Sequence, residues 1–223
     1  MISFDHVFKR YPNGREALRD VSFRVAQGEM VFLTGRSGAG KSSILKLVTL
    51  LERPTRGKVA VNGQDTGALP SRAIPAFRRR MGVVFQDHQL LADRPVYDNV
   101  ALPLIVADTP FREIDRRVRA ALDQVGLLGR EKSLPVELSI GEQQRVGIAR
   151  AVVGKPAILV ADEPTGNLDS KMGEEVMDIL LKLNAEGTTV VMVTHDEREA
   201  RRTHRIVRVF DGQLVTPEHL HAA

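Results

Sequence analysis

The sequence predicts an α/β fold: a parallel central sheet, an N-terminal antiparallel β-subdomain and an inserted helical subdomain. Three observations carry this. Short, nearly all-apolar runs at 30–34 (MVFLT), 157–161 (AILVA) and 189–193 (TVVMV) read as strands covered on both faces, as a parallel sheet requires. Residues 2–8 (ISFDHVF) and 20–25 (DVSFRV) alternate apolar and polar with period two, as half-buried antiparallel strands do. The region from about 91 to 154 instead favours helical spacing.

Each element follows from its own residues. The turn-forming PNG at 12–14 separates the two N-terminal strands. MGVVF at 81–85 adds another strand, and 3.6-residue spacing predicts helices at 41–51, 111–125, 142–153, 172–185 and 196–202. No internal repeat or low-complexity segment interrupts this order, so one domain over 1–223, with a helical subdomain at roughly 91–154, is expected. At ~150 residues per domain, the length is compatible with that plan.

Composition excludes several classes. Hydrophobic residues at 43% and charged residues at 27% rule out a disordered chain. The 32 Lys+Arg against 28 Asp+Glu leave +4, spread along the chain, whereas nucleic-acid binding usually concentrates a basic face. Arg78-Arg79-Arg80 reads as a solvated or anionic-lipid-facing helix end rather than a DNA contact. Cysteine is absent, which excludes disulfides and thiolate metal sites and suits a reducing cytoplasm. No run approaches the ~20 apolar residues of a membrane span. VALPLIVA at 100–107 is interrupted by Pro103, and the first ten residues carry Asp5, His6 and Lys9, unlike a secretory signal. A chain that reaches a membrane only through a partner is expected.

The strongest motif is Gly35-Arg36-Ser37-Gly38-Ala39-Gly40-Lys41-Ser42, which fits G-x-x-x-x-G-K-[ST]. It lies between an apolar strand and a helical run, the context the pattern needs. Its glycines let the backbone wrap phosphate oxygens with N–H groups inward, and the following helix adds its positive dipole end. Lys41 would neutralise β and γ phosphates, and the Ser42 hydroxyl would ligate magnesium. The alternative is a glycine-rich turn without a ligand; by composition the pattern arises by chance in roughly one such sequence in two hundred.

A second cluster ends the strand ILVADE at 158–163. Ligands bind at the carboxyl ends of strands in open parallel sheets. Asp162 therefore suits a magnesium contact, and Glu163 is placed to polarise an attacking water. Alone, the pair could equally be a solvated strand end before Pro164. Leu138-Ser139-Ile140-Gly141-Glu142 offers two readings. Ser139 and Glu142 form an S-x-x-E capping box, yet a capped helix start is also an anion site.

These residues resemble the ATP-binding cassette (ABC) ATPases along essentially the whole chain. The motifs that carry the resemblance are the phosphate loop at 35–42, VVFQ at 83–86, LSIGE at 138–142, ILVADE at 158–163, NLD at 167–169 and THD at 194–196. The resemblance implies an ABC-type P-loop core that binds ATP with Mg2+ and hydrolyses it. It implies that Tyr11 stacks on adenine and that Ser43 joins the phosphate loop. Gln86 would reach magnesium and the water and link the site to a membrane partner, and His195 would hydrogen-bond the γ-phosphate. Ser139, Gly141 and Glu142 would close over ATP held by a second copy in a homodimer formed on ATP binding, with Asp169 meeting that copy. The bland alternatives are a strand-end aromatic for Tyr11, a strand-end polar residue for Gln86 and a helix N-cap for Asp169. Ile140 and Glu142 depart from the family's LSGGQ. Ile140 is expected to be harmless at negative φ with its side chain pointing away from phosphate, and Glu142 to cap the helix at some repulsive cost.

Within the family, similarity is greatest to bacterial cell-division members, through MISFDHV at the start, KRYPNG at 9–14, residues 78–104 and EQQRVGIARAVVGKP at 142–156. That implies a peripheral position on the cytoplasmic face of the inner membrane at the septum, an integral membrane partner docked on 87–107, other division proteins as further partners, and no nucleic acid. The docking patch could otherwise be an ordinary helical surface with Val100, Leu102 and Leu104 buried. The remaining alternatives are the ATPase of a lipoprotein-releasing or macrolide-export complex, and a nucleotide-binding signalling module with little turnover.

Overall fold

The fold is known from a computed structural model, which describes residues 1–194 and 205–215. The chain divides into two compact units, Met1–Arg78 with Val191–Ala223, and Arg79–Val190.

In the first unit, β1 (Ile2–Arg10) pairs antiparallel with β2 (Glu16–Val25) and with β4 (Arg56–Val61), and β5 (Gln64–Asp65) extends β4. The alternation expected at the N-terminus is real: Phe4 and Phe23 sit opposite each other in register and stack at 4.7 Å between ring centroids. β3 (Met30–Thr34) pairs parallel with β9 (Arg205–Phe210), Val31 opposite Arg205, and β10 (Gln213–Leu214) returns antiparallel on β9. Strands β4, β5, β9 and β10 have no counterpart in the sequence reading. Helix α1 (Lys41–Val48) follows β3 and buries Ile44, Leu45 and Leu47. Its C-terminal carbonyls are met by Arg78 of α2 (Ile74–Arg78), which donates to Thr49 O and Leu50 O, so the first arginine of the 78–80 run works inside the fold.

The second unit holds β6 (Met81–Val84) and β7 (Ile158–Asp162) in parallel, Met81 opposite Ile158. As the all-apolar run required, Ile158 to Ala161 are all buried. Around them lie α3 (Val96–Val106), α4 (Phe111–Gln124), α5 (Ile140–Val152) and α6 (Ser170–Ala185). Gly82 lets α5 press on β6, because a Cβ there would stand 2.4 Å from Ala151 O. Helix α3 runs through Pro103, the residue that interrupts the apolar stretch 100–107. The lost backbone donor is tolerated because Val96, Val100, Ala101 and Leu104 are buried on one side. Strand β8 (Thr189–Val193) is fully buried, and Thr194 N donates to Leu33 O. The helix expected at 196–202 lies outside the described residues.

Candidate nucleotide site

The phosphate loop is built by backbone conformations that need glycine. Gly35, Gly38 and Gly40 have φ of 146°, 79° and 115°. A Cβ at Gly35 would lie 2.1 Å from Val209 O, and one at Gly40 2.6 Å from Ala17 O, so side chains are excluded by space as well as by conformation. Ala39 N donates to Arg36 O to close the loop. Gly40 caps α1 with no side-chain hydrogen bond, so the first-turn N–H groups of α1 point at whatever the loop holds. Lys41 is 7% exposed, and its Nζ donates to Gly35 O at 2.6 Å and Arg36 O at 3.0 Å, folding the cation into the same cradle. Ser42 is exposed beside it and Ser43 is buried.

These residues border a cavity of about 690 Å3 that also takes in Tyr11, Arg15 and Lys46. The Tyr11 hydroxyl hydrogen-bonds with Ser43 Oγ and donates to Glu52 Oε1, both at 3.2 Å, which fixes the ring at the cavity wall. Lys9 Nζ lies 5.0 Å from the ring centroid. Burial pushes the Glu52 carboxyl up, but hydrogen bonds from Lys9, Lys46 and Tyr11 outweigh that and hold it below its ordinary value. Arg15 escaped the sequence reading. It donates to Gly38 O at 3.0 Å, with its own backbone N–H held by Asn13 Oδ1, and no motif signals this role for the residue after the PNG turn. A cradle of inward N–H groups with Lys41, Arg15 and Lys46 around it fits a polyphosphate joined to a flat ring. Among the described residues no three His, Cys, Asp or Glu cluster to hold a metal. Mg2+ ordinarily binds through phosphate oxygens and one or two protein oxygens, and Ser42 can supply one.

In the second unit Asp162 ends β7, and Glu163 follows with φ of 46°, a left-handed conformation costly for a residue with a Cβ. Glu163 O accepts from Gly166 N. A Cβ on Gly166 would stand 3.1 Å from Gln86 Nε2 and 3.5 Å from Glu163 Cβ, so the Gln86 amide and Glu163 converge on this glycine. Asn167 Nδ2 donates to Gln86 O at 3.3 Å. Asp169 caps α6, accepting from Met172 N at 2.9 Å.

Ser139 caps α5 in a complete capping box. Ser139 N and Oγ both donate to Glu142 Oε2, at 2.9 and 3.0 Å, and Glu142 N donates back to Ser139 Oγ. The backbone N–H of Ser139 does most to hold the Glu142 carboxyl below its ordinary value, and Arg130 and Arg145 add to it against partial burial. Ile140 sits in the first turn at negative φ and is 52% exposed. Gly141 is glycine for a reason inside the chain, since a Cβ there would meet Met172 Sδ at 2.6 Å. In the 87–107 patch Val100 and Leu104 are buried, but Leu102, Ile105 and Val106 are exposed. His195 lies outside the described residues.

A strand, a glycine loop gripping its own lysine and a helix start, together with an acid pair ending a parallel strand, define a phosphate-loop nucleotide-binding protein. The chain belongs to the ABC transporter family, whose model matches residues 18–166. It is 54% identical over 215 residues to the cell division ATP-binding protein FtsE of Escherichia coli, covering 96% of this chain and 97% of that protein. It is 43% identical to the macrolide export ATP-binding/permease protein MacB of Chromobacterium violaceum, covering 96% of this chain but 34% of that protein. A dimeric ATP-binding cassette solved in a post-hydrolysis state, bound to ADP and Pi, superposes with a TM-score of 0.89 at 38% identity, covering 97% of each chain.

Proposed function

We propose that this chain is the ATP-binding and Mg-dependent hydrolysing subunit of a cell-division ABC complex. It would sit peripherally on the cytoplasmic face of the inner membrane at the septum. The observation that carries the reading is 54% identity along nearly the whole length of a cell-division ATP-binding protein. As a single nucleotide-binding domain it would pair with an integral membrane protein resembling FtsX, docked on 87–107, and with other division proteins. Through that partner it would pass ATP-driven conformational change to septal wall hydrolases. Identity of 43% to an export protein supports exporter ATPase as the second reading.

The chemistry follows from the residues. Tyr11 stacks on the base, the 35–43 backbone and Lys41 grip the phosphates, and Ser42, Gln86 and Asp162 are the candidate Mg2+ contacts. Magnesium, bound with the nucleotide, offsets the charge on the phosphoryl oxygens. Glu163 takes a proton from the attacking water as its oxygen bonds the γ-phosphorus and the bond to the bridging oxygen breaks. His195 and Gln86 orient the γ-phosphate and the water. Ser139, Gly141 and Glu142 complete the site of a second copy, and Asp169 meets that copy. The γ-phosphate supplies contacts that ADP lacks, so ATP closes the dimer and hydrolysis opens it.

Two variants test this. Lys41→Ala weakens Mg-ATP binding measured by calorimetry. Glu163→Gln leaves binding intact, abolishes turnover and accumulates an ATP-dependent dimer on size exclusion. Hydrolysis by Glu163→Gln at the parent rate would remove Glu163 from its role.

A further inference from the structure

Gln86 is followed by a backbone that its residues do not favour. His88 and Gln89 have φ of 58° and 47°, left-handed values for two consecutive side-chain-bearing residues. Helix α5 holds them there. The two arms of the Arg150 guanidinium donate to adjacent carbonyls, Nη1 to Gln89 O and Nη2 to His88 O, both at 2.6 Å. One turn and a half earlier on the same helix, Gln144 is fully buried and its side-chain amide hydrogen-bonds with His88 Nδ1.

The arrangement is expensive for a simple loop anchor. Among the described residues Arg150 forms no ion pair with a carboxylate, and burial pushes its pKa down. Among the described residues the buried Gln144 Nε2 has no hydrogen-bond partner. Unpaired buried polar groups and left-handed side-chain positions are each unfavourable, and together they persist where position matters more than stability. Asn167 ties the Gln86 carbonyl from the other side, so the segment is fixed at both ends. Helix α5 also begins at the Ser139–Glu142 capping box, so one element carries Gly141 and Glu142 at one end and the Arg150 fork at the other.

We propose that Arg150, seconded by Gln144, is a positioning residue: its fork holds the strained His88-Gln89 backbone, and through it sets Gln86 and makes Gln86 follow movements of α5. This deepens the proposed function and rests on the role given there to Gln86.

The test uses the full chain, Mg-ATP turnover and amide hydrogen exchange without nucleotide. Arg150→Lys keeps the charge but loses the planar fork. Its kcat should fall about tenfold with KM for ATP within about twofold, while exchange of the 87–90 amides rises about tenfold and the rest of α5 is unchanged. Gln89→Gly added to Arg150→Lys should recover several-fold of the lost kcat, because glycine takes the left-handed conformation freely. A merely structural arginine would not be rescued this way. His88→Ala, which removes the ring contact to Gln144, should show the same pairing of lower kcat and faster local exchange, and it serves if Arg150→Lys does not fold. Parent kcat and parent exchange in the foldable variant, or a loss that Gln89→Gly leaves untouched, overturns the proposal. Gln86→Ala separates the two levels. If it lowers kcat while Arg150→Lys does not, only the positioning role falls; if Gln86→Ala turns over at the parent rate, the reading of Gln86 falls with it.

Discussion

Glu163 shows what a single residue contributes. Its acidic side chain was legible in ILVADE, but its left-handed φ of 46° was not, because strain at one position leaves no periodic trace. Gly141 is the complementary case. The family resemblance assigns it to a partner's nucleotide, whereas within this chain it makes room for Met172, 2.6 Å from where a Cβ would be. Gly141→Ala should therefore lose about 1 kcal/mol of stability in urea unfolding, overpacking exceeding the gain in helix propensity. Met172→Ala in the same chain should remove that strain. A turnover defect that persists in the double variant would isolate the intermolecular role of Gly141.

At the scale of elements, α5 joins a standard start to an unusual end. The Ser139–Glu142 box was readable from S-x-x-E alone, and Ser139→Ala should cost about 1 kcal/mol of unfolding free energy. The pH dependence follows from the lowered Glu142 pKa. A carboxyl depressed on folding contributes stability that is present above its unfolded value of about 4.5 and is lost as pH falls through the folded value. The destabilisation by Ser139→Ala, measured by urea unfolding, should thus be full at pH 7 and shrink below pH 4.5. Asp169 caps α6 in the same way, which the bland alternative anticipated. Helix α3 was less legible: its residues fell within the helical region at 91–154 but showed no helix of their own until the burial of Val100 and Leu104 on either side of Pro103 is known.

For the molecule as a whole, no helix among the described residues is long and apolar enough to cross a membrane. Ile105 and Val106 are each 55% exposed at the end of the 87–107 patch. Exchanging both for Asp should abolish co-purification with an integral membrane protein from membranes while leaving Mg-ATP binding unchanged in calorimetry. Retained co-purification would move the docking face elsewhere.

The sequence by itself determined the chemistry of the ligand and the main strands that present it. Glycine spacing, a terminal acid pair and runs of one period are local properties, written in neighbouring residues. Only the tertiary structure decided that β9 pairs with β3 across more than 170 positions, that Arg15 braces the phosphate loop, and that Arg150 reaches back 61 residues to Gln89. Such partners are chosen by packing between distant segments, and the energy that selects them has no signature within either segment alone.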